Sequence, residues 1–205
     1  MTQVKNKVLI ALMLLCSVAA FSQTEISEKK SKYGIYMGVN HSNLAIKEMP
    51  TNATTSTDFG FQLGILADFS IKDWLSFSPK AELSFNTANV DIDYGIGFTS
   101  YEIMPVNVGL MTHFKLKVPN NNFEPYFLFG PHYRLSLTEK TTTSAEFPTY
   151  SALSFDIGIG TEKIFKHFAF APELRYSHGL GDVNGNPTLQ SIKYHNISLI
   201  FNFLG

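Results

Sequence analysis

The 205-residue chain is 44% hydrophobic, 14% aromatic and 16% charged, which is apolar enough to fold and excludes a disordered chain. Its 17 acidic and 16 basic residues nearly cancel, so no global positive field draws in a phosphate backbone, and the balance argues against nucleic-acid binding. With 18 Phe, 9 Tyr and 14 Gly but one Trp, the composition favours strands broken by turns over a helical bundle.

Residues 1–22 have the three-part layout of a secretory signal: Lys5 and Lys7, an apolar run from Val8 to Cys16, then small residues, with cleavage expected after Ser22. The apolar run is too short to span a bilayer. Cys16 is the only cysteine and follows Leu15, where a lipoprotein signal needs a small residue. The exported chain is therefore expected to be unlipidated and without disulfides, so that burial and hydrogen bonding alone hold it together. Residues 23–32 read as a short linker and 33–205 as one domain.

No later stretch approaches the ~18 consecutive apolar residues of a transmembrane helix, so the chain crosses a membrane as strands or stays soluble in the periplasm. The clearest strand is Phe59–Ile71, where every odd position is apolar and the even ones include Gln62, Asp68 and Ser70. Its length matches the ~9–11 tilted residues that span a bilayer. The same two-sidedness recurs in 75–86, 106–116 and 168–177. With 33–41, 126–137, 152–164 and 194–203 it makes eight strands. Connections alternate between long (44–57, 88–100, 139–149, 182–193) and short (72–74, 118–124, 166–167). That is the asymmetry of an outer-membrane barrel with external loops and periplasmic turns. The expected fold is all-β: an eight-stranded antiparallel up-and-down transmembrane barrel in the cell outer membrane, in contact with its lipid. Pro79 and Pro172 lie near strand starts, where a missing donor is tolerated.

If the apolar faces meet lipid, Lys80, Glu82, Arg134, Asp156, Glu162, Glu173 and Arg175 point inward, with Gln62, Asp68, Asn107, His113 and His132. Eight strands leave an interior just wide enough for side chains to fill. This mixed-sign set forms either a hydrogen-bonded plug or a narrow polar conduit. Trp74, in a short turn, reads as part of an interfacial aromatic girdle.

The six histidines show no metal-ligand spacing, and no metal or cofactor is expected. Ser177 and His178 beside Glu173 invite a hydrolase reading, but neighbours in a strand point to opposite faces, and no nucleophile turn supports it. Glycines at 158–160 and 179–181 match no phosphate-cradling pattern and read as bends or strand ends. The Thr-rich loop segments 51–57 and 141–145 suit either partner binding or plain solvation. The last strand, Tyr194–Phe203, ends on aromatics of the kind that barrel-assembly machinery recognises, with Leu204 and Gly205 beyond them.

Taken in order, Gly38-Val-Asn-His-Ser-Asn-Leu44, Met104-Pro-Val-Asn-Val108, Asn122-Phe-Glu-Pro-Tyr-Phe-Leu-Phe-Gly130, Ala171-Pro-Glu-Leu-Arg-Tyr-Ser-His-Gly-Leu180 and Ile197-Ser-Leu-Ile-Phe-Asn-Phe203 resemble the PorT family of outer-membrane β-barrels. The resemblance implies an integral barrel required for type IX protein secretion and, in gliding bacteria, for motility. It implies other secretion-system proteins as partners and no catalytic residues. Three alternatives stay open: a small-solute pore or surface-binding barrel unrelated to export, a lipid-modifying enzyme, and a soluble calycin-like barrel with its apolar face inward. Strand parity does not decide which face is out.

Overall fold

The computed structural model describes residues 31–47, 50–93, 95, 97–119, 123–137, 149–185 and 191–205. The expected signal sequence, the linker as far as residue 30 and the Thr-rich segment 141–145 lie outside them. Nine strands follow one another: β1 (Ser31–Lys47), β2 (Ala53–Lys72), β3 (Leu75–Asp93), β4 (Phe98–Glu102), β5 (Val106–Lys117), β6 (Glu124–Ser136), β7 (Ala152–Ile164), β8 (Ala169–Gly179) and β9 (Ser191–Leu204). All pairings are antiparallel. β1 pairs with both β2 and β9, β2 with β3, and β3 through β5, β6, β7 and β8 back to β9, so eight strands close a ring. β4 pairs with β3 alone and continues the line of β5 along it, Asn89–Glu102 and Phe85–Val106 keeping one register. Closure matters because an open edge would leave a row of backbone donors and acceptors unpaired, which hydrocarbon does not tolerate.

The faces are inverted relative to a soluble barrel. Along β8, Glu173, Arg175 and Ser177 are each 1% exposed, whereas Leu174 between them is 48% exposed. Neighbouring strands agree at the same level: Leu174 pairs with Ile159 on one side and Leu199 on the other, and both face out. An apolar band of this extent in water would far exceed the patches a soluble monomer carries, and the calycin-like alternative, with apolar residues inside, does not describe this chain. Across the outer wall the rings meet strand to strand: Phe61 stacks on Phe85 at 4.5 Å, and Phe77 contacts Phe114, which contacts Phe129 in turn. Such cross-strand aromatic pairs help to hold register.

Strand boundaries differ from the sequence reading at the outer end. β1 begins at Ser31, inside the expected linker, and β1, β2 and β3 run 17, 20 and 19 residues. They continue through most of the segments 44–57 and 88–100, which the strand pattern leaves as long connections. The reason is local. Thr54, Thr55 and Thr57 are β-branched and pair with Asp91, Val90 and Ala88, so the ladder simply extends above the bilayer, where water satisfies its outer groups. Ile103–Pro105 is a short irregularity between β4 and β5, which run on in one direction along β3: the Ile103 N–H donates to the Ala88 carbonyl and the Asn86 N–H to that of Pro105. Met104 adopts a left-handed conformation there (φ 51°) and is fully buried. The Asn86 side-chain amide donates to its carbonyl at 3.2 Å, tying this segment into the barrel mouth.

Candidate functional site

Period-two alternation sends every second side chain of eight strands into one shared lumen. Among the described residues it buries six cations and five carboxylates, on strands far apart in sequence. At the periplasmic end, marked by the short turns, charges alternate in a chain. Lys32 on β1 bonds Glu162 on β7. Lys117 reaches both Glu162 (3.8 Å) and Asp68 (3.4 Å), and Lys115 bonds Asp68 at 2.8 Å. Above this, Lys80 Nζ contacts both oxygens of Glu173 (2.8 and 2.9 Å), and Tyr126 Oη donates to the same carboxylate at 3.0 Å.

At mid-height Arg175 Nη2 donates to Glu82 at 2.5 Å and its Nε stands 3.7 Å from Asp156. Asp156 also holds His113 Nε2 at 3.0 Å and His132 Nδ1 at 3.2 Å, and Tyr36 Oη donates to Glu82 at 3.1 Å. Toward the outer end the partners become neutral. Arg134 bonds Ser154 and lies 5.3 Å over the Tyr194 ring, while Asn40, Gln62, Ser84 and Ser198 bond one another. An apolar cap closes the mouth, with Leu44, Val90, Ile103, Met104, Val183 and Ile192 buried together.

All seven charged residues singled out in the sequence therefore lie within this lumen, none more than 4% exposed, along with Gln62, Asp68, Asn107, His113 and His132. The pairs run between strands. Glu173 and Arg175, neighbours on β8, do not hold each other: Glu173 takes Lys80, and Arg175 takes Glu82. Lys32, Lys115 and Lys117 were missed. Lys115 had the right parity, Lys117 lay just past the assumed strand end, and Lys32 fell in the assumed linker. Tyr36, Tyr126 and Tyr194 were missed because polarity patterning does not flag an aromatic residue on an inward face.

The glycines of β7 also need a corrected reading. Gly158 and Gly160 are neither bends nor strand ends but inward positions left empty for larger neighbours. A Cβ on Gly160 would stand 2.4 Å from Tyr126 Oη, and one on Gly158 would stand 3.2 Å from Leu128 Cγ. Gly109 makes the same room for His132. Small against large is how a narrow lumen is filled. Gly160→Ala is accordingly expected to destabilise the barrel by about 1–3 kcal/mol, the usual range for overpacking. Urea unfolding in detergent checks this, and an unchanged midpoint would count against the close fit.

On the outer side, Trp74 sits in the β2–β3 turn, 49% exposed, with Lys72 Nζ 5.5 Å from its ring. Lys163 lies similarly over Phe123 and Phe165 at the same end. These are amphipathic contacts suited to a headgroup boundary. Ser177 is buried in the lumen and His178 is exposed outside, so the two do not form a catalytic pair.

No curated protein matches the chain in sequence. Among solved structures it is similar to the outer membrane protein OprG from Pseudomonas aeruginosa (TM-score 0.54, 14% identity), over 86% of this chain and 95% of that one. Lower-scoring similarities include Neisserial surface protein A (TM-score 0.47, 13% identity, 82% and 95% covered) and Ail, the attachment invasion locus protein of Yersinia pestis (TM-score 0.44, 12% identity, 86% and 100% covered). At these identities the likeness to OprG speaks for the fold alone. The family model for the outer membrane protein beta-barrel domain matches residues 21–185, which takes in every strand but the closing β9. With its inverted faces, ion-paired lumen and closed ring of eight strands, the chain belongs to the outer membrane protein beta-barrel domain family and resides in the outer membrane.

Proposed function

We propose that this barrel conducts no solute and acts through its outer rim and wall, as a non-enzymatic component or assembly partner of type IX protein secretion. One observation carries the first half of this reading: the lumen is occupied from end to end, by the Lys32–Glu162–Lys117–Asp68 chain below, Arg175–Glu82 midway and Ile103 and Met104 above. A conduit needs continuous solvated space, and these side chains fill it with one another. A barrel of eight strands is also too narrow to pass a folded protein, which leaves the rim, loops and wall as working surfaces. The secretion half rests on the ordered resemblance to PorT-type barrels.

A deletion strain tests it. Secreted cargo is expected to accumulate in the periplasm and to be released again when the full-length gene is restored, while the purified barrel shows no conductance steps in planar bilayers. Stepwise conductance would overturn the plugged reading. Intact secretion would favour a surface-binding barrel instead, a second reading supported by the β2–β3 hairpin, whose 20- and 19-residue strands rise well beyond the bilayer.

A further inference from the structure

Tyr176 and His178 on β8 and His195 on β9 face away from the lumen near the outer end of the wall, and their donor atoms converge. Tyr176 Oη lies 3.4 Å from Nδ1 of His178 and 3.4 Å from Nδ1 of His195. The two imidazole rings are 4.7 Å apart. This follows from register: Ser177 pairs with Asn196, so His178 comes opposite His195 as a direct cross-strand neighbour on one face. Seventeen residues of sequence separate the histidines, and for that reason linear spacing does not reveal them.

The distances suit a metal better than a hydrogen-bonded trio. At 3.4 Å an O–H···N contact is long and weak, yet about 3.4 Å is the donor–donor separation in a tetrahedral centre whose bonds are about 2.1 Å. The Gly179 N–H points at Nδ1 of His195 from 3.3 Å, so that nitrogen is an acceptor; a metal would take its one lone pair over from this long contact, with the ring proton on Nε2. We propose that Tyr176, His178 and His195 form a surface site for a divalent transition-metal ion of the zinc or copper class, with solvent completing the coordination.

Imidazole donors select such borderline ions. Calcium and magnesium need a set of oxygen ligands that is not present here, and Lys193, two residues further out on the same face, disfavours any cation held by charge alone. The position fits access from outside. His178 lies ten residues along from Phe168, about 25 Å up a strand tilted by the usual angle, which is the height of the apolar band. Below it the wall is Leu174 and Phe170, and below His195 it is Ile197 and Leu199. The ligands thus stand where lipid gives way to water. When the phenol binds, its proton passes to solvent, so binding tightens as pH rises.

The test uses the tag-free mature barrel in detergent, titrated with Cu2+ and, in competition with a chromophoric chelator, with Zn2+. One ion per barrel is expected. His178→Ala and His195→Ala each weaken binding at least ~10-fold, and the double variant abolishes it. Tyr176→Phe weakens it less and removes the phenolate-to-copper absorption band. His41→Ala and His167→Ala, on the same surface, leave it unchanged. All the substitutions are on the outer wall, and heat-modifiable migration on gels confirms that each variant is folded. Wild-type affinity in the folded double variant, or no ion bound by the wild-type barrel at ~100 µM metal, overturns the proposal, since a built site of this kind holds its metal more tightly.

Discussion

Arg175→Ala is expected to lower the unfolding free energy of the barrel by about 3–5 kcal/mol, the cost of breaking a buried ion pair by removing one partner. Arg175 is 1% exposed. It donates to Glu82 and to Met111 Sδ (3.0 Å), and its Nε approaches Asp156. Removing it leaves Glu82, among the described residues, with the Tyr36 hydroxyl as its hydrogen-bond donor, in a lumen where the carboxylate has little water to turn to. The loss comes from the stranded charge rather than from the net worth of the pair, so it has a distinguishing signature. Arg175→Met combined with Glu82→Gln is expected to recover much of the stability, because a neutral pair of similar volume no longer carries the desolvation penalty. Urea titration of the refolded barrel in detergent, with both variants measured side by side, decides it. A single variant as stable as wild type would mean that the lumen is wet enough to solvate Glu82, and the plugged reading would weaken with it.

Leu174→Arg is the complementary experiment on the other face. Leu174 lies at the middle of β8, 48% exposed, between Ile159 and Leu199. On a lipid-facing wall an arginine at mid-depth costs about 2–4 kcal/mol, falling toward ~0–1 kcal/mol near the interfaces. The gradient is the informative part. Ile164→Arg, at the periplasmic end of β7 beside the Phe165–Phe168 turn, is expected to cost far less than Leu174→Arg when both are measured in lipid vesicles. Equal, small costs at the two depths would show that this wall does not face hydrocarbon.

Alternation in Phe59–Ile71 or Leu75–Phe85 is a property of the chain alone, because the strand period is two whatever surrounds it. Strand number, up-and-down order and the end at which the short turns lie follow from it. The outer reach of β2 and β3 did not, because a Thr-rich stretch pairs or stays solvated according to whether a partner strand lies alongside it. Nor did the pairings. Lys80 and Glu173 are 93 residues apart, as are Glu82 and Arg175, and which cation meets which carboxylate depends on the stagger of strands around the ring. The convergence of His178 and His195 depends on register in the same way.

Alternation along the chain is enough to give each strand an apolar and a polar face and to count eight of them in the barrel. Parity alone leaves the two faces interchangeable, since turning every strand over preserves the alternation. Closure of the ring distinguishes them: Gly109, Gly158 and Gly160 leave, inside the narrow lumen, the room that His132, Leu128 and Tyr126 occupy, and Arg175, Lys115 and His113 are buried in the same space. Tyr36 and Tyr126, which go inside, have a hydroxyl to give to Glu82 and Glu173, whereas Phe61, Phe127 and Leu174 have nothing to offer these charges and stay outside, where hydrocarbon receives them at no cost.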